Sequence, residues 1–486
     1  MDEGHVPVLV ASNRGPVSFT LGDSGNLSMR RGGGGLVSGL SSVATETDVI
    51  WVCAALSDAD RQAARQSPTG RLDEAGYDTR GAVRMLDIPP ATFHRAYNAI
   101  ANSTLWFVHH MLYDIPSKPN FDTRWRQEWD SYGNYNAAFA DALAQDAAHD
   151  AKVAVQDYHL TLAPRMLRNR RPDLRIAHFS HTPWAPPDYF RMLPSDVITD
   201  VLEGILGADH AGFLCHRWAD AFLECCDSFL DAKVDRAMRT VTYDGRVTEV
   251  GVHGLGVDGD ALTDRARQAD VQARYDALSE EIGGCKLLVR IDRTELSKNI
   301  VRGLSAYREL LRSHPEWRGR VVHFASAYPS RHDLPEYREY TAAVQRIAQE
   351  IEDEFGTEEW EPLMLAVNDD FPRSLAAYRL ADVLLVNPIR DGMNLVAKEG
   401  PVVAERDPVL VLSREAGAAA ELSDHALTIN PYDVSGTAEA LHEALSMPSE
   451  ERKRRNRGLV QAATALTPQQ WFADQLTALD GIKRAS

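Results

Sequence analysis

Long apolar runs are missing from this chain of 486 residues: none approaches the roughly 18 consecutive apolar residues that span a bilayer. The first residues, Met1-Asp2-Glu3-Gly4-His5, put no basic region ahead of the short apolar run Val6 to Ala11, so a buried first strand is expected there and not a signal peptide. Cysteine is scarce. The five at 53, 215, 225, 226 and 285 form neither two zinc-type pairs nor a disulfide framework. They read as reduced, mostly buried thiols of a cytoplasmic protein. Positive charge is in deficit, with 52 Lys and Arg against 70 Asp and Glu, a net charge of -18. Such a surface repels nucleic acid phosphates, so anionic ligands must be met by local basic groups. The densest basic run, Glu451-Arg452-Lys453-Arg454-Arg455-Asn456-Arg457, reads as one solvated helix face. Neither nucleic acid nor a membrane is an expected partner.

What remains is an ordinary globular mixture, 44% hydrophobic and 25% charged, in a chain long enough for two or three domains. Apolar strands alternate with helical stretches. Strands are expected at 6–11, 49–55, 81–86, 104–108, 153–156, 176–180 and 211–214, with helices at 132–148 and 160–169 and paired strands over 239–252. The pattern restarts with strands at 286–291, 321–325, 363–367, 383–387 and 409–413 and helices at 300–314 and 334–355. This spacing implies βαβ units and an α/β fold with two mainly parallel sheets. We expect domains at 1–252 and 253–465, then a terminal helical stretch, 466–486, packing back on the first domain, with a frayed end from 482. Open α/β sheets bind ligands at the carboxyl ends of their strands, so chemistry should cluster in the loops that follow strands.

Five segments fit that expectation. Asn13-Arg14-Gly15 follows the first strand, and Arg30-Arg31-Gly32-Gly33-Gly34-Gly35-Leu36 precedes a helical-looking stretch. Glycines there admit a ligand close to the backbone, and arginines suit phosphate, although this loop is neither a dinucleotide fingerprint nor a Gly-Lys-Ser/Thr phosphate loop. Asp157-Tyr158-His159 and His178-Phe179-Ser180-His181 lie at strand ends. There a histidine either serves a sugar hydroxyl or is a capped core residue, and a shared metal site with His159 has no recognised ligand spacing. The adjacent pair His109-His110 points in different directions. Arg293 and Lys298, in a loop entering a helix, either clamp a diphosphate or form surface ion pairs, and Arg331 is a third basic candidate. The fifth segment, Asn387 to Glu399, places Asp391 and Glu399 after an apolar strand. One carboxylate suits sugar hydroxyls and the other a ribose, and the Asn394, Leu395 and Val396 amides are free to face a ligand.

The uninterrupted string Asp391-Gly392-Met393-Asn394-Leu395-Val396-Ala397-Lys398-Glu399 closely resembles a motif of the trehalose-6-phosphate synthase family, retaining glycosyltransferases of family 20. The resemblance runs from Asn13-Arg14 to the terminal helices. It implies a glycosyltransferase B fold, two facing Rossmann-like domains with the active site in the crevice. It also implies transfer of glucose from UDP- or GDP-glucose to glucose 6-phosphate, with no cofactor and no metal. On this resemblance His181, Arg293, Lys298 and Asp391 are the catalytic candidates. Donor contacts fall to Gly35, Arg293, Lys298, Asp391, Asn394, Leu395, Val396 and Glu399. Acceptor contacts fall to Arg14, Trp51, Tyr97, Trp106, Asp157, Tyr158 and Arg331. The clamp departs from the commonest Arg-Leu-Asp-Tyr-Ser-Lys-Gly, reading Arg293-Thr294-Glu295-Leu296-Ser297-Lys298-Asn299. The donor base and homo-oligomerisation stay open. So do three other readings: a related transferase with another acceptor such as glycerol phosphate, a pseudo-glycosyltransferase, and a non-catalytic nucleotide-sugar-binding protein.

Overall fold

The computed structural model describes residues 5–22, 26–32, 49–79, 81–331 and 334–481. The chain divides into two compact units, Met1–Leu255 with Pro468–Ser486, and Gly256–Thr467.

The first unit carries β1 (Val6–Ser12), β2 (Val17–Leu21), β3 (Leu27–Arg31), β4 (Val49–Ala54), β5 (Ala82–Leu86), β6 (Ala147–Gln156), β7 (Arg175–Ser180), β8 (His210–Phe213), β9 (Lys233–Asp235), β10 (Thr240–Tyr243) and β11 (Arg246–Val252). Nine of them form one sheet in the order β5-β4-β1-β6-β7-β8-β11-β10-β9, and β2 and β3 form a separate hairpin. Pairing is parallel from β5 to β11, then antiparallel through β10 and β9. The central strands are apolar on both faces because helices cover both: every residue of β4 and of β8 is buried. Helix Pro468–Ala478 contributes fully buried Trp471 and Phe472 to this unit.

The second unit holds β12 (Lys286–Arg293), β13 (Val321–Tyr328), β14 (Leu363–Ala366), β15 (Val383–Val386), β16 (Val409–Ser413) and β17 (Leu427–Ile429), ordered β14-β13-β12-β15-β16-β17 and parallel throughout. Strand order reverses on either side of β12, which makes its carboxyl end a topological switch point. Both units are thus doubly wound and Rossmann-like.

Two expected elements differ. Residues 104–108 are helical and not a strand: Pro90–His94, the wide-turned Arg95–Leu105 and Trp106–His110 run on as one helical stretch. Short apolar runs carry no period that separates strand from helix, and here tertiary burial of Thr104, Leu105, Phe107 and Val108 decides. The expected helix 132–148 begins at Thr123, capped by Asp122 accepting from the Trp125 amide, and gives way to β6 at Ala147. The β2–β3 hairpin also puts Arg30 and Arg31 on a strand.

Candidate active site

In the second unit the site begins with β12, which ends in alternating charges. Arg290 is fully buried, its guanidinium donating to Asp292 Oδ2 at 2.8 Å and to the Lys298 carbonyl at 3.0 Å. Those bonds fix the path of the Thr294–Lys298 turn. At its end Asn299 has φ 57°, in the left-handed region where glycine and asparagine sit most easily. Its side-chain amide donates to the Asn387 and Pro431 carbonyls at 3.0 and 2.8 Å. Asparagine in place of the commoner glycine therefore keeps the turn's conformation and adds two ties to neighbouring strand ends.

The turn delivers Lys298 Nζ to Asp391 Oδ2 at 2.7 Å, with Asp292 Oδ1 at 4.0 Å. Burial works against the ammonium charge, but Asp391, Asp292 and Glu295 outweigh it and raise Lys298 above its ordinary pKa. Arg293 reaches Glu295 Oε1 at 3.1 Å while its own side chain stays half exposed. Glu295 is fully buried. Burial would raise its carboxyl, yet Arg293, Arg331 and Lys298 together pull it down to about 2. Ser330 donates to it at 3.0 Å, and Arg331 donates to the Tyr337 hydroxyl at 2.8 Å.

Asp391 follows β15 in a turn packed on the 415–418 segment: its amide donates to the Glu415 carbonyl, and the Gly417 amide to its own. A side chain on Gly417 would collide with the Gly392 carbonyl, so glycine is required there. Asn394, at φ 76°, donates to Asp391 Oδ2 at 3.2 Å, and its buried Oδ1 has no hydrogen-bond partner among the described residues. Helix Val396–Val403 starts here, with Leu395 at its cap. The Ala397, Lys398 and Glu399 amides donate to the Asn394 and Leu395 carbonyls and close the first turn, and the positive end of a helix favours an anion. Glu399, on the first turn, is raised to about 7 by burial. Its neighbour Lys398 turns away to Glu421 Oε2 at 2.6 Å and holds the helix in place.

The first unit assembles a second group. Asp157, at φ 75° just after β6, accepts from the His181 amide at 3.2 Å. His181 Nε2 lies 2.9 Å from Gln156 Oε1, and Gln156 in turn donates to Gln475 at 3.3 Å. Burial, with His178 nearby, lowers His181 to about 3, so its imidazole is neutral. Tyr97 stacks between Phe93 and His159 at 5.2 and 5.6 Å, and half-buried Trp106 packs against Tyr158 at 5.7 Å. The Tyr158 hydroxyl donates to Asn102. His109 and His110 separate onto Trp184 and Trp106. Arg14 is exposed on the loop after β1.

Not every expected contact residue joins these groups. Trp51 is 2% exposed within β4, so it presents no surface to a ligand. Its indole donates at 2.7 Å to Ser12 Oγ, which donates to the Arg14 carbonyl, so it props the Arg14 loop from below. Gly35 lies outside the described residues. Arg331, matched to an acceptor role, sits in the second unit beside Glu295. Asp292, Glu295, Asn299 and Gln156 were not singled out from the sequence, although the first three lie in or beside the Arg293–Lys298 clamp.

The clamp and the Asp391 turn meet where Lys298 pairs with Asp391. The model for glycosyltransferase family 20 matches residues 7–481. The chain belongs to glycosyltransferase family 20. A probable UDP-forming α,α-trehalose-phosphate synthase of Arabidopsis thaliana is 33% identical over 483 residues, covering 98% of this chain and 57% of that protein. The UDP-forming α,α-trehalose-phosphate synthase of Schizosaccharomyces pombe is 32% identical, covering 96% of this chain and 88% of that protein. The chain thus spans little more than half of the plant relative. Among solved structures, a trehalose-6-phosphate protein from Escherichia coli bound with UDP-2-fluoro glucose is similar at a TM-score of 0.86 and 26% identity, covering 98% of this chain and 99% of the other. A UDP-forming α,α-trehalose-phosphate synthase of Burkholderia vietnamiensis gives 0.84 and 28%, covering 98% and 100%.

Proposed function

We propose that this chain transfers glucose, with retention, from a nucleotide diphosphate glucose to glucose 6-phosphate, releasing α,α-trehalose 6-phosphate. The observation that carries this reading is the pairing of Lys298 with Asp391 at the mouth of helix Val396–Val403. It sets a diphosphate-binding cation against a carboxylate fit for sugar hydroxyls. The synthases of Arabidopsis and fission yeast are named UDP-forming, which supports a uridine donor.

In this reading Arg293, Lys298 and the Gly35 amide take up the charge that grows on the diphosphate as its bond to the glucose anomeric carbon breaks. The acceptor hydroxyl attacks from the same face, and its proton goes to the departing phosphate oxygen. A disaccharide phosphate and a nucleoside diphosphate result. Asp391 holds glucose hydroxyls, Glu399 the ribose, and the amides of Asn394, Leu395 and Val396 the phosphates. Arg14, Tyr97, Trp106, Asp157, Tyr158 and Arg331 position the acceptor. Neutral His181, its Nε2 proton donated to Gln156 Oε1, accepts one hydrogen bond at Nδ1 near the transferred sugar. Trp51 contributes through Ser12 and not by contact.

All five cysteines are free, which supports a reducing, cytoplasmic setting. Among the described residues no helix is long and apolar enough to cross a membrane. The test is product formation by purified protein given glucose 6-phosphate with UDP-glucose or GDP-glucose in parallel, followed by mass spectrometry. A disaccharide phosphate with one donor supports the reading and names the base; none with either overturns it.

A further inference from the structure

The second unit carries a cluster of metal-ligating side chains far from Lys298 and Asp391. His314 follows helix Ile300–Ser313, Glu316 lies on the turn Pro315–Trp317, and His442 is on helix Val434–Ser446. One ligand atom from each lies within 4.8 Å of the others. Helix Ile300–Ser313 starts beside Lys298 and has 14 residues, so the cluster sits about 21 Å from the clamp at 1.5 Å per residue.

Hydrogen bonding fixes which nitrogens carry lone pairs. His314 Nε2 is 3.1 Å from Glu439 Oε1, and a carboxylate there holds the proton on Nε2. That leaves the Nδ1 lone pair facing Glu316 Oε1 at 3.5 Å. Trp317 Nε1 donates to His442 Nδ1 at 3.1 Å, so this nitrogen is also an acceptor, 3.9 Å from Glu316 Oε1. The two imidazoles stack at 3.7 Å with 9° between their planes, so one ring must rotate for both to share an ion. Nδ1 of each ring thus lies within 4.0 Å of the same Glu316 oxygen, with the His442 lone pair held by the Trp317 indole. A carboxylate on the far nitrogen of a ligating histidine is the usual outer support of a metal site. The residues are half-buried or exposed, and a cavity of about 410 Å³ lined by Glu439, His442 and Glu443 adjoins them, so solvent ions have access.

We propose that His314, Glu316 and His442 bind a divalent cation of the zinc class, with Glu439 orienting His314. Two imidazoles and one carboxylate suit zinc and leave a coordination position for water. Binding displaces the Trp317 indole from His442 Nδ1 and ties the end of helix Ile300–Ser313 to helix Val434–Ser446. The site is independent of the proposed glucosyl transfer.

The test is calorimetric titration of zinc into untagged, chelator-stripped protein, with cobalt absorption as a second readout and thermal melting to confirm that each variant is folded. One equivalent should bind and raise the Tm. His314→Ala and His442→Ala should abolish binding, and Glu439→Gln should weaken it about tenfold. Tryptophan emission should change on zinc addition, and Trp317→Phe should remove that change. Absence of binding, or binding that survives both histidine substitutions in folded protein, would overturn the proposal.

Discussion

Lys298 Nζ stands 2.7 Å from Asp391 Oδ2 although 93 residues separate them in the chain. Two loops after different strands of one sheet meet in that bond. It pairs the carboxylate with a cation, and in the proposed reaction that ammonium meets the donor diphosphate. A donor that takes the lysine must leave Asp391 to the sugar hydroxyls. In the proposed reaction, donor binding therefore exchanges one set of charge-assisted bonds for another.

Lys298→Ala should lower kcat/KM by about 10²-fold or more, the usual loss when a group stabilising developing charge is removed. Arg293→Ala should fall in the same range. Steady-state kinetics with circular dichroism checks this. A loss of less than about threefold in folded protein would remove Lys298 from the reaction.

Asn299→Ala should destabilise the second unit by about 2 kcal/mol or more. A left-handed backbone costs a side chain other than glycine or asparagine about 1–2 kcal/mol, and the bonds to the Asn387 and Pro431 carbonyls are lost as well. Asn299→Gly keeps the conformation and loses only the bonds, so its cost should be about half. Denaturant unfolding of the three proteins gives the order.

Glu399 should release a proton when the donor binds. Burial raises its carboxyl from 4.5 to about 7, and ribose hydroxyls donating to it favour the ionised form. Its folded pKa lies above the unfolded value. Its contribution to stability is therefore full below about pH 4.5 and is lost as pH rises through about 7. Calorimetry near pH 6.5 in buffers of different ionisation enthalpy should show proton release that Glu399→Gln abolishes. The same variant should flatten the fall of Tm between pH 4.5 and 7.

Buried histidines set the acid limit. His181 is lowered to about 3 and His178 to about 4, both chiefly by burial. Each folded pKa lies below 6.5, so the unfolded chain binds more protons as pH falls below that value, and stability drops with it. His181→Asn should make the decline in Tm between pH 6.5 and 4 shallower. An unchanged slope would show that His181 is protonated in the folded protein.

The alternation of apolar strands and helices is legible because parallel strands buried on both faces read as continuous runs, as β4, β15 and β16 do. The Asp391–Glu399 string was legible for its length and composition. Residues 104–108 escape a sequence reading because the four apolar residues after Thr104 show no period. Burial is what the letters hide. Trp51 looks like any aromatic, and only the β4 packing shows that it faces no ligand. Glu295 looks like a surface acid, and only its three basic neighbours make a buried carboxylate tolerable. Asn299 looked like a departure until its backbone angle showed why asparagine serves.

The most direct test of the account is proton NMR of the product formed by purified protein from glucose 6-phosphate and UDP-glucose, with stereochemistry read at both anomeric positions. The account predicts an α,α-1,1-linked disaccharide phosphate, formed in step with nucleoside diphosphate. A β linkage at the transferred glucose, or nucleoside diphosphate released with free glucose and no disaccharide, would contradict it.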